Sequence, residues 1–287
     1  MTEKLTRVRF TNLGKMLYPE IKITKAQVIE YYVKMAPKML GFLADRPAVL
    51  NRFPNGVGEE GFYEKDSPSG APAWVKIYVK YSESTEREIA YIICNDLDTL
   101  VWLGNLAALE IHITLSRANA FESPDFVLFD IDPEPPLSFD VVVNVALMLK
   151  EKLDDLGMRS YIKTSGRKGM HVIIPVKEGY RFQQTREFAH KIGKQLAKES
   201  ELIVSEFSRS REQGTIFVDY LQNSHGRTII CPYGLRATAF ATVSTPLEWE
   251  EVKKGLKPED FNLFSVVKRE KSPWEGVLGD RQRLEVS

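Results

Sequence analysis

The sequence predicts an α+β fold built largely on antiparallel sheets. Four segments carry apolar residues at helical spacing, and seven short runs rich in β-branched and aromatic residues lie among them. The two kinds of segment do not alternate strictly, which favours this class over a doubly wound parallel sheet. With 287 residues, 43% of them hydrophobic, the chain is long enough for one large domain or two small ones.

Periodicity and caps place the individual elements. Apolar residues recur at helical spacing after Thr24, and Ser138 precedes another such pattern. The predicted helices span about 25–43, 97–109, 138–156 and 184–199. The predicted strands cover 48–52, 91–94, 126–132, 160–164, 171–175, 215–219 and 228–231. No linker or repeat separates these elements, so we expect a single domain over residues 1–287.

Composition narrows the class of protein. The sequence shows no signal peptide and no run of about eighteen apolar residues, so we expect a cytoplasmic protein that does not enter a membrane. The two cysteines, Cys94 and Cys231, lack metal-ligand spacing, and we expect both to be small buried side chains. Because the chain begins with Met1 and shows no trailing linker, we expect a stand-alone protein.

Charge is distributed unevenly along a chain that is neutral overall, with 39 basic and 39 acidic residues. Residues 1–50 hold nine Lys or Arg against four Asp or Glu, residues 121–157 hold two against nine, and residues 158–236 hold fourteen against seven. Basic segments on both sides of an acidic one suit an anion-binding surface around a cation-binding centre. Ordinary surface variation is the alternative explanation.

Three aspartates end apolar strands. Asp130 and Asp132 in FVLFDIDP are two residues apart, so both carboxylates point to one face of a strand. Asp219 ends TIFVDY in the same manner. Hard oxygen donors from neighbouring strands are predicted to bind Mg²⁺ or Mn²⁺, and a pair of such ions serves phosphoryl transfer. For Asp130 and Asp132 alone, a strand that simply finishes in a capping aspartate is the simpler alternative.

The segment TSGRKGMHV supplies donors for a triphosphate. Its glycines let backbone N–H groups approach phosphate oxygens, Ser165 and His171 add side-chain donors, and Arg167 or Lys168 balances charge. The segment does not match the GxxxxGK[ST] phosphate loop. The alternative is a basic hairpin turn that carries a structural histidine.

These motifs occur in an order known from one family. DID, SGRKGMH and VD resemble the three motifs of the archaeo-eukaryotic primase superfamily, and the whole chain resembles the polymerase domain of bacterial ligase D. The matching segments are TNLGKMLYP, ITKAQVIEYY, RPAVLNRFPNG, GFYEK, AALEIH, FVLFDIDP, TSGRKGMHV, VDYLQN and PYGLRA. The resemblance therefore covers the chain nearly end to end.

The resemblance implies a primase-polymerase core with an RRM-like sheet. It implies nucleotide addition to DNA ends and gaps, a preference for ribonucleotides, and two Mn²⁺ or Mg²⁺ ions per site. It further implies a role in non-homologous end joining with Ku and a DNA ligase, at breaks in the nucleoid. Within the single domain, 1–120 would contact the DNA 5′-phosphate and the nucleotide, 121–240 would form the catalytic core, and 241–287 would be a C-terminal extension.

The resemblance also assigns roles to individual residues. Asp130, Asp132 and Asp219 become the catalytic metal ligands. The residues implied at the triphosphate are Ser165, Gly166, Lys168, His171 and Arg236. His112 would touch the sugar, and either Phe62 or Tyr63 would stack on a base, with Arg52 and Lys65 close by. Taken alone, the aromatic pair predicts core packing and His112, after a predicted helix, predicts a structural role.

The DNA contacts implied by the resemblance lie in two segments. Asn12, Lys15 and Lys25 match a pocket that grips the 5′-phosphate on the far side of a gap, whereas a solvated helix face is the alternative. Arg209 and Arg211 would contact the template. They lie in 205–214, which looks longer and more charged than the family's loop.

The residues also fit two other classes of function, a nuclease and a DNA-binding module without enzymatic activity. A metal-dependent nuclease is possible because clustered carboxylates also cut phosphodiesters, but the triphosphate-type turn disfavours it. A non-enzymatic DNA-end-bridging module is the second, and an intact trio of aspartates disfavours it.

Overall fold

The computed structural model describes residues 7–83, 85–208 and 212–284. The chain groups into two compact units, each assembled from separate stretches of sequence. Unit 1 comprises Met1–Thr114, Thr228–Val243 and Asn262–Glu270, and unit 2 comprises Leu115–Arg227, Ser244–Phe261 and Lys271–Ser287. The single domain over 1–287 stays a prediction beside this grouping. The predicted template contacts, Arg209 and Arg211, lie outside the described residues.

Unit 1 is built on an antiparallel six-stranded sheet. Its strands, in spatial order, are β13 (Thr228–Ile230), β7 (Ala108–Thr114), β3 (Pro47–Arg52), β6 (Arg87–Ile93) and β5 (Lys76–Ser82), with β4 (Phe62–Glu64) also paired to β3. A separate hairpin of β1 (Met16–Tyr18) and β2 (Ile23–Thr24) leads into α1 (Lys25–Leu43). The remaining helices of the unit are α2 (Leu97–Asn105) and α5 (Leu263–Val266).

Helix α1 shows why its segment is helical. Thr24 Oγ1 accepts from Gln27 N–H at 3.4 Å, and the Gln27 side chain accepts from Thr24 N–H at 2.9 Å, which forms a capping box. The helix buries its apolar face, and Tyr32 donates its hydroxyl to the carbonyl of Ala108 in β7 at 2.8 Å. The sequence prediction of 25–43 for this helix is confirmed.

Unit 2 contains the sheet that carries the three aspartates. Its strands, in spatial order, are β11 (Ile203–Val204), β12 (Ile216–Asp219), β8 (Phe126–Pro133), β10 (Met170–Pro175), β9 (Tyr161–Thr164) and β14 (Pro246–Leu247). Two helices, α3 (Phe139–Asp155) and α4 (Phe182–Glu199), connect them. The chain runs β8–α3–β9–β10–α4, then reaches β12, and all pairings except β11 with β12 are antiparallel. This β-α-β-β-α-β connectivity confirms the RRM-like sheet and the α+β class.

The clearest departure from the sequence prediction is at helix 97–109. The helix ends at Asn105, since Ala107 adopts a φ of 57° and the chain enters β7 at Ala108. His112 therefore lies inside a strand, not after a helix. Strand β5 was not predicted, and its partner β6 is longer than the predicted 91–94. Among the described residues, no helix is long and apolar enough to span a membrane.

Candidate functional site

The three aspartates lie on neighbouring strands of unit 2. In the β8–β12 ladder, Asp219 stands opposite Asp130, and Asp132 lies two residues beyond Asp130. Opposite residues share a face and side chains alternate along a strand, so the three carboxylates leave one face of the sheet. Phe129, next to Asp130, points the other way and contacts Phe188 of α4, with ring centroids 6.4 Å apart. The aspartates thus occupy the face turned away from α4.

Each of these carboxylates has a donor beside it. Asp130 Oδ1 lies 3.3 Å from His171 Nε2, and Asp132 Oδ1 lies 3.1 Å from Lys168 Nζ. Asp219 Oδ1 accepts from the backbone N–H of Leu221 at 2.7 Å. These contacts offset the repulsion expected among like charges on adjacent strands.

The chemistry of the donor set fits a hard divalent cation. Carboxylate oxygens are the ligands that Mg²⁺ and Mn²⁺ prefer. The side chains of Asp130 and Asp132 are 22% and 28% exposed, so an ion from solvent can reach them. Within the part of the chain that the structure describes, no three Asp, Glu, His or Cys side chains form a ready metal-binding group. The strand register brings the ligands to one face, while their carboxylates are engaged by other donors.

The turn between β9 and β10 is held by Ser165. Its Oγ accepts from the N–H groups of Arg167 at 3.2 Å and Gly169 at 3.1 Å, and its N–H donates to the Gly169 carbonyl at 2.9 Å. Gly166 has a φ of 73°, and a Cβ at Gly169 would stand 2.3 Å from the carbonyl oxygen of Ile131. The glycines are therefore required by the turn itself.

His171 connects this turn to the aspartates. In β10 it stands opposite Asp130 on one side and opposite Lys163 of β9 on the other. The side chain is 7% exposed, and its Nδ1 lies 2.6 Å from Lys163 Nζ. Lys168 donates to the Pro133 carbonyl at 2.9 Å. The residues predicted at the triphosphate in this turn therefore share the sheet of the aspartates, and Lys163 is a neighbour that the sequence interpretation did not single out.

In unit 1, the predicted residues Tyr63 and His112 lie on one face of the sheet, and Arg236 contacts that face. Asn51 of β3 stands opposite Glu110 of β7 and opposite Tyr63 of β4. His112 lies two residues beyond Glu110, and its ring centroid is 6.0 Å from that of Tyr63. Arg236 Nε lies 3.1 Å from Glu110 Oε1.

Glu110 is the residue that the sequence interpretation missed in this set. Its fully buried carboxylate lies 3.2 Å from His112 Nε2, and it accepts from Asn51 Nδ2 at 3.3 Å and from the N–H of Ala237 at 3.1 Å. A buried carboxylate requires such partners. The available signal was its place two residues before His112 in LEIH, on the same face of a strand.

Phe62 lies on the opposite face of β4 from Tyr63. It stands across from Arg52, whose guanidinium carbon is 5.2 Å from its ring centroid. Arg52 also pairs with Glu64 at 2.8 Å. Of the two aromatic candidates, Tyr63 shares a face with His112 and Phe62 does not. Lys65 is exposed just after β4.

Lys15 and Lys25 lie in a basic region of unit 1. Lys25 Nζ donates to the Asn105 carbonyl at 2.8 Å, and Arg52 Nε donates to the Leu106 carbonyl at 3.1 Å, both at the C-terminal end of α2. Burial lowers the pKa of Lys25, and the nearby charges of Lys15 and Arg52 act in the same direction. Cations that disfavour one another's charge in this way would be stabilised by an anion.

The N-terminus of α1 contributes little to such a site. The N–H groups of Lys25 and Ala26 donate to the carbonyls of Lys15 at 2.8 Å and Leu13 at 3.0 Å. Asn12 begins this loop with a φ of 50°, and its carbonyl accepts from Lys15 N–H. A phosphate here would be held by side chains, because the first donors of the helix are already used.

The chain has clear relatives of the same fold. The family model described as LigD, primase-polymerase domain, matches residues 24–274. This chain belongs to that family. The bifunctional non-homologous end joining protein LigD of Bacillus subtilis (strain 168) is 34% identical over 265 residues, which cover 92% of this chain and 42% of the relative. The multifunctional LigD of Mycolicibacterium smegmatis is 34% identical over 259 residues, covering 87% and 33%.

A solved structure shares the LigD primase-polymerase fold. The polymerase domain from Mycobacterium tuberculosis ligase D, in complex with DNA, has a TM-score of 0.88 and 29% identity, covering 96% of this chain and 99% of that one. The resemblance inferred from the motifs is thereby confirmed. Membership in this family of primase-polymerase domains implies a metal-dependent enzyme of the nucleotidyltransferase type. The chain spans less than half the length of these curated relatives.

Proposed function

We propose that this chain extends DNA ends and gaps during non-homologous end joining, as a nucleotidyltransferase that prefers ribonucleotides. The observation that carries the proposal is the face of the unit 2 sheet on which Asp130, Asp132 and Asp219 lie beside His171. Carboxylates for cations and donors for phosphates on one face suit phosphoryl transfer to or from a nucleoside triphosphate.

The aspartates would hold two Mn²⁺ or Mg²⁺ ions. When bound, the ions supply charge neutralisation at the phosphates and an activated 3′-hydroxyl. The protein's own contribution is to position the triphosphate. Ser165 and His171 would donate to its β- and γ-phosphate oxygens, and Gly166 allows close approach of the backbone. Lys168, which lies beside Asp132, adds a positive charge to the same turn.

These contacts would leave the α-phosphorus oriented for attack by the primer 3′-hydroxyl, with pyrophosphate leaving while held by Ser165 and His171. Catalysis of this kind is mostly positioning and charge stabilisation.

The residues of unit 1 would select the substrate. His112 would contact the sugar, Tyr63 would stack on a base, and Arg236 would assist at the triphosphate. The stacking role is assigned to Tyr63 because it shares a face with His112. The other predicted nucleotide contacts would come from Phe62 and Arg52, on the opposite face of the sheet, and from Lys65, just after β4. Arg209 and Arg211 stay predicted template contacts.

The partners in the proposed reaction are nucleoside triphosphates and DNA with a 5′-phosphate across a gap. Asn12, Lys15 and Lys25 would bind that phosphate. In repair, the chain would act with Ku and a DNA ligase at breaks on the cytoplasmic nucleoid.

Primer extension on gapped DNA tests the proposal. Labelled primer is incubated with ribo- or deoxynucleoside triphosphates and with Mn²⁺ or Mg²⁺ in parallel. We expect extension, stronger with ribonucleotides and with Mn²⁺. Shortened primer without added nucleotide would indicate a nuclease instead, and DNA binding with no change of length under any condition would indicate an end-bridging module.

A further inference from the structure

We propose that Lys163 is a positioning residue that fixes the His171 ring with its hydrogen on Nε2, toward the aspartate face. Lys163 lies in the middle of β9 and is 1% exposed. Its Nζ is 2.6 Å from His171 Nδ1 and 2.6 Å from Ser244 Oγ. A buried ammonium is costly to desolvate, so an apolar residue would serve packing alone better than a lysine does.

The direction of these hydrogen bonds follows from the donor role of Ser244 and from a charged Lys163, which is part of the proposal. A serine hydroxyl has one hydrogen, and that of Ser244 is donated to the carbonyl of Thr164 at 2.8 Å. Ser244 Oγ must therefore accept from Lys163. An ammonium group has three donor hydrogens and accepts none, so it also donates to His171 Nδ1. That ring nitrogen then carries no hydrogen.

The consequence for His171 is a single tautomer. With Nδ1 occupied as an acceptor, the neutral ring carries its hydrogen on Nε2, which lies 3.3 Å from Asp130 Oδ1. The strand registers place Asp219, Asp130, His171 and Lys163 side by side on four adjacent strands. Lys163 stands behind His171 in this row, and the Nε2–H is presented on the aspartate side. A phosphate oxygen requires a donor there, so this inference rests on the proposed function of His171.

The test begins with the tautomer itself. The chain has four histidines, so ¹⁵N-histidine labelling gives few signals, and the His171 signals are assigned by their loss in His171→Gln. Long-range ¹H–¹⁵N spectra of the metal-free full chain at about pH 8 distinguish the tautomers, since an ordinary imidazole is neutral there. We expect a protonated Nε2 and an unprotonated Nδ1. A hydrogen on Nδ1, or on both nitrogens, would overturn the proposal even if no variant folds.

Lys163→Met then removes the donor while keeping the length and burial of the side chain. We expect the His171 signals to change to a mixture of tautomers and the KM for nucleoside triphosphate to rise about 10- to 100-fold, with a smaller change in kcat and unchanged DNA affinity. The matched control is Tyr161→Phe, which removes a hydrogen bond to Asp280 from the same strand without touching His171. It should leave the tautomer and KM unchanged.

Different results would contradict the role of Lys163 and the proposed function of the chain. An unchanged tautomer or an unchanged KM in Lys163→Met overturns the role of Lys163, whereas wild-type protein that extends no primer overturns the proposed function. In that second case the wild-type spectrum still decides the direction of the Lys163–His171 hydrogen bond.

Discussion

At the three strand-end aspartates, substitution by asparagine separates the effect of the negative charge from the effect of hydrogen bonding. Asp219→Asn keeps an oxygen for the N–H of Leu221 but removes the negative charge. We expect this variant, and likewise Asp130→Asn and Asp132→Asn, to lose primer extension to background because an amide is a poor ligand for a hard cation. The thermal midpoint and DNA affinity should stay near wild type. Asp155→Asn, at the exposed end of α3, is the matched control. Extension retained by one variant would remove that aspartate from the site.

At His112 the expected effect is on sugar selection. Glu110 holds its Nε2 at 3.2 Å, so the ring has a fixed position next to Tyr63. If it contacts the 2′-hydroxyl, His112→Ala should reduce kcat/KM for ribonucleotides more than for deoxynucleotides. Single-nucleotide extension with both substrates measures the ratio. Equal losses for the two sugars would contradict the role.

Glu110 itself should be important for stability. Its buried carboxylate faces Arg236, His112 and Asn51, and removal of one member of a buried charged set leaves the others without compensation. We expect Glu110→Ala to lower the free energy of unfolding by about 3–5 kcal/mol. Glu64→Ala removes a partly exposed partner of Arg52 and should cost about 1 kcal/mol or less. Urea titrations measure the free energy of unfolding of both variants. Equal losses in the two variants would show that the buried position of Glu110 adds nothing to stability.

Among the elements, those with a strong local signal were predicted well. Helix α1 has a capping box and a regular apolar face, and both ends match the sequence prediction. Ile77, Val79 and Tyr81 alternate along strand β5, which the sequence prediction does not include. Strand β5 is an edge strand on which these three side chains are exposed, so the alternation does not mark a core-facing strand. The predicted helix 97–109 is too long because residues 106–109 are apolar in either conformation.

The same reasoning explains which site residues the sequence could reveal. Asp130, Asp132 and Asp219 end apolar strands, and a charge in that context is conspicuous. Glu110 and Lys163 lie inside strands, where alternating polar residues normally face water. Their burial depends on contacts with residues far along the chain, such as the hydrogen bond from Lys163 to Ser244, which local patterns do not contain.

The C-terminal segment offers a prediction for an element of unit 2. Trp274 donates to the Ile162 carbonyl at 3.0 Å, and Asp280 contacts Arg159 and Tyr161, so the segment holds β9. The hydrogen bond from Arg159 is the main cause of the lowered pKa of Asp280, and that from Tyr161 adds to it. A lowered folded-state pKa means that the stabilisation is present above the ordinary value of 3.8 and is lost as pH falls through the lowered value.

Asp280→Asn should accordingly lower the thermal midpoint at neutral pH. The difference from wild type should begin to shrink as the pH is taken below the ordinary carboxyl value, because the unfolded chain then binds a proton that folded Asp280 does not, and it should vanish below the lowered pKa. Thermal unfolding from about pH 7 down to about pH 2 measures this. A difference that is constant across the range would show that the charge of Asp280 contributes nothing.

For the whole molecule, neutrality means that DNA recognition must come from local groups. Net charge is zero, so indiscriminate attraction to the duplex is weak, and Lys15 and Lys25 have to distinguish a terminal phosphate from internal diesters. A 5′-phosphate carries the greater charge. Charge-assisted contacts of about 1.5–3 kcal/mol correspond to a preference of roughly tenfold to hundredfold over a 5′-hydroxyl.

The 5′-phosphate preference is tested with gapped DNA that differs only in that group. Wild type should bind the phosphorylated DNA more tightly, and Lys15→Ala combined with Lys25→Met should bind both alike. Methionine keeps the buried stem of Lys25, so the end of α2 stays packed while the ammonium that contacts Asn105 is lost.

Lys34→Ala, on the exposed face of α1 beside Glu30, changes charge elsewhere on the helix and should keep the preference for the 5′-phosphate. Salt above about 0.1 M, where the screening length is near 10 Å, should shrink it. No preference in wild type would exclude the pocket but leave the aspartates, which lie on other strands, as the proposed catalytic groups.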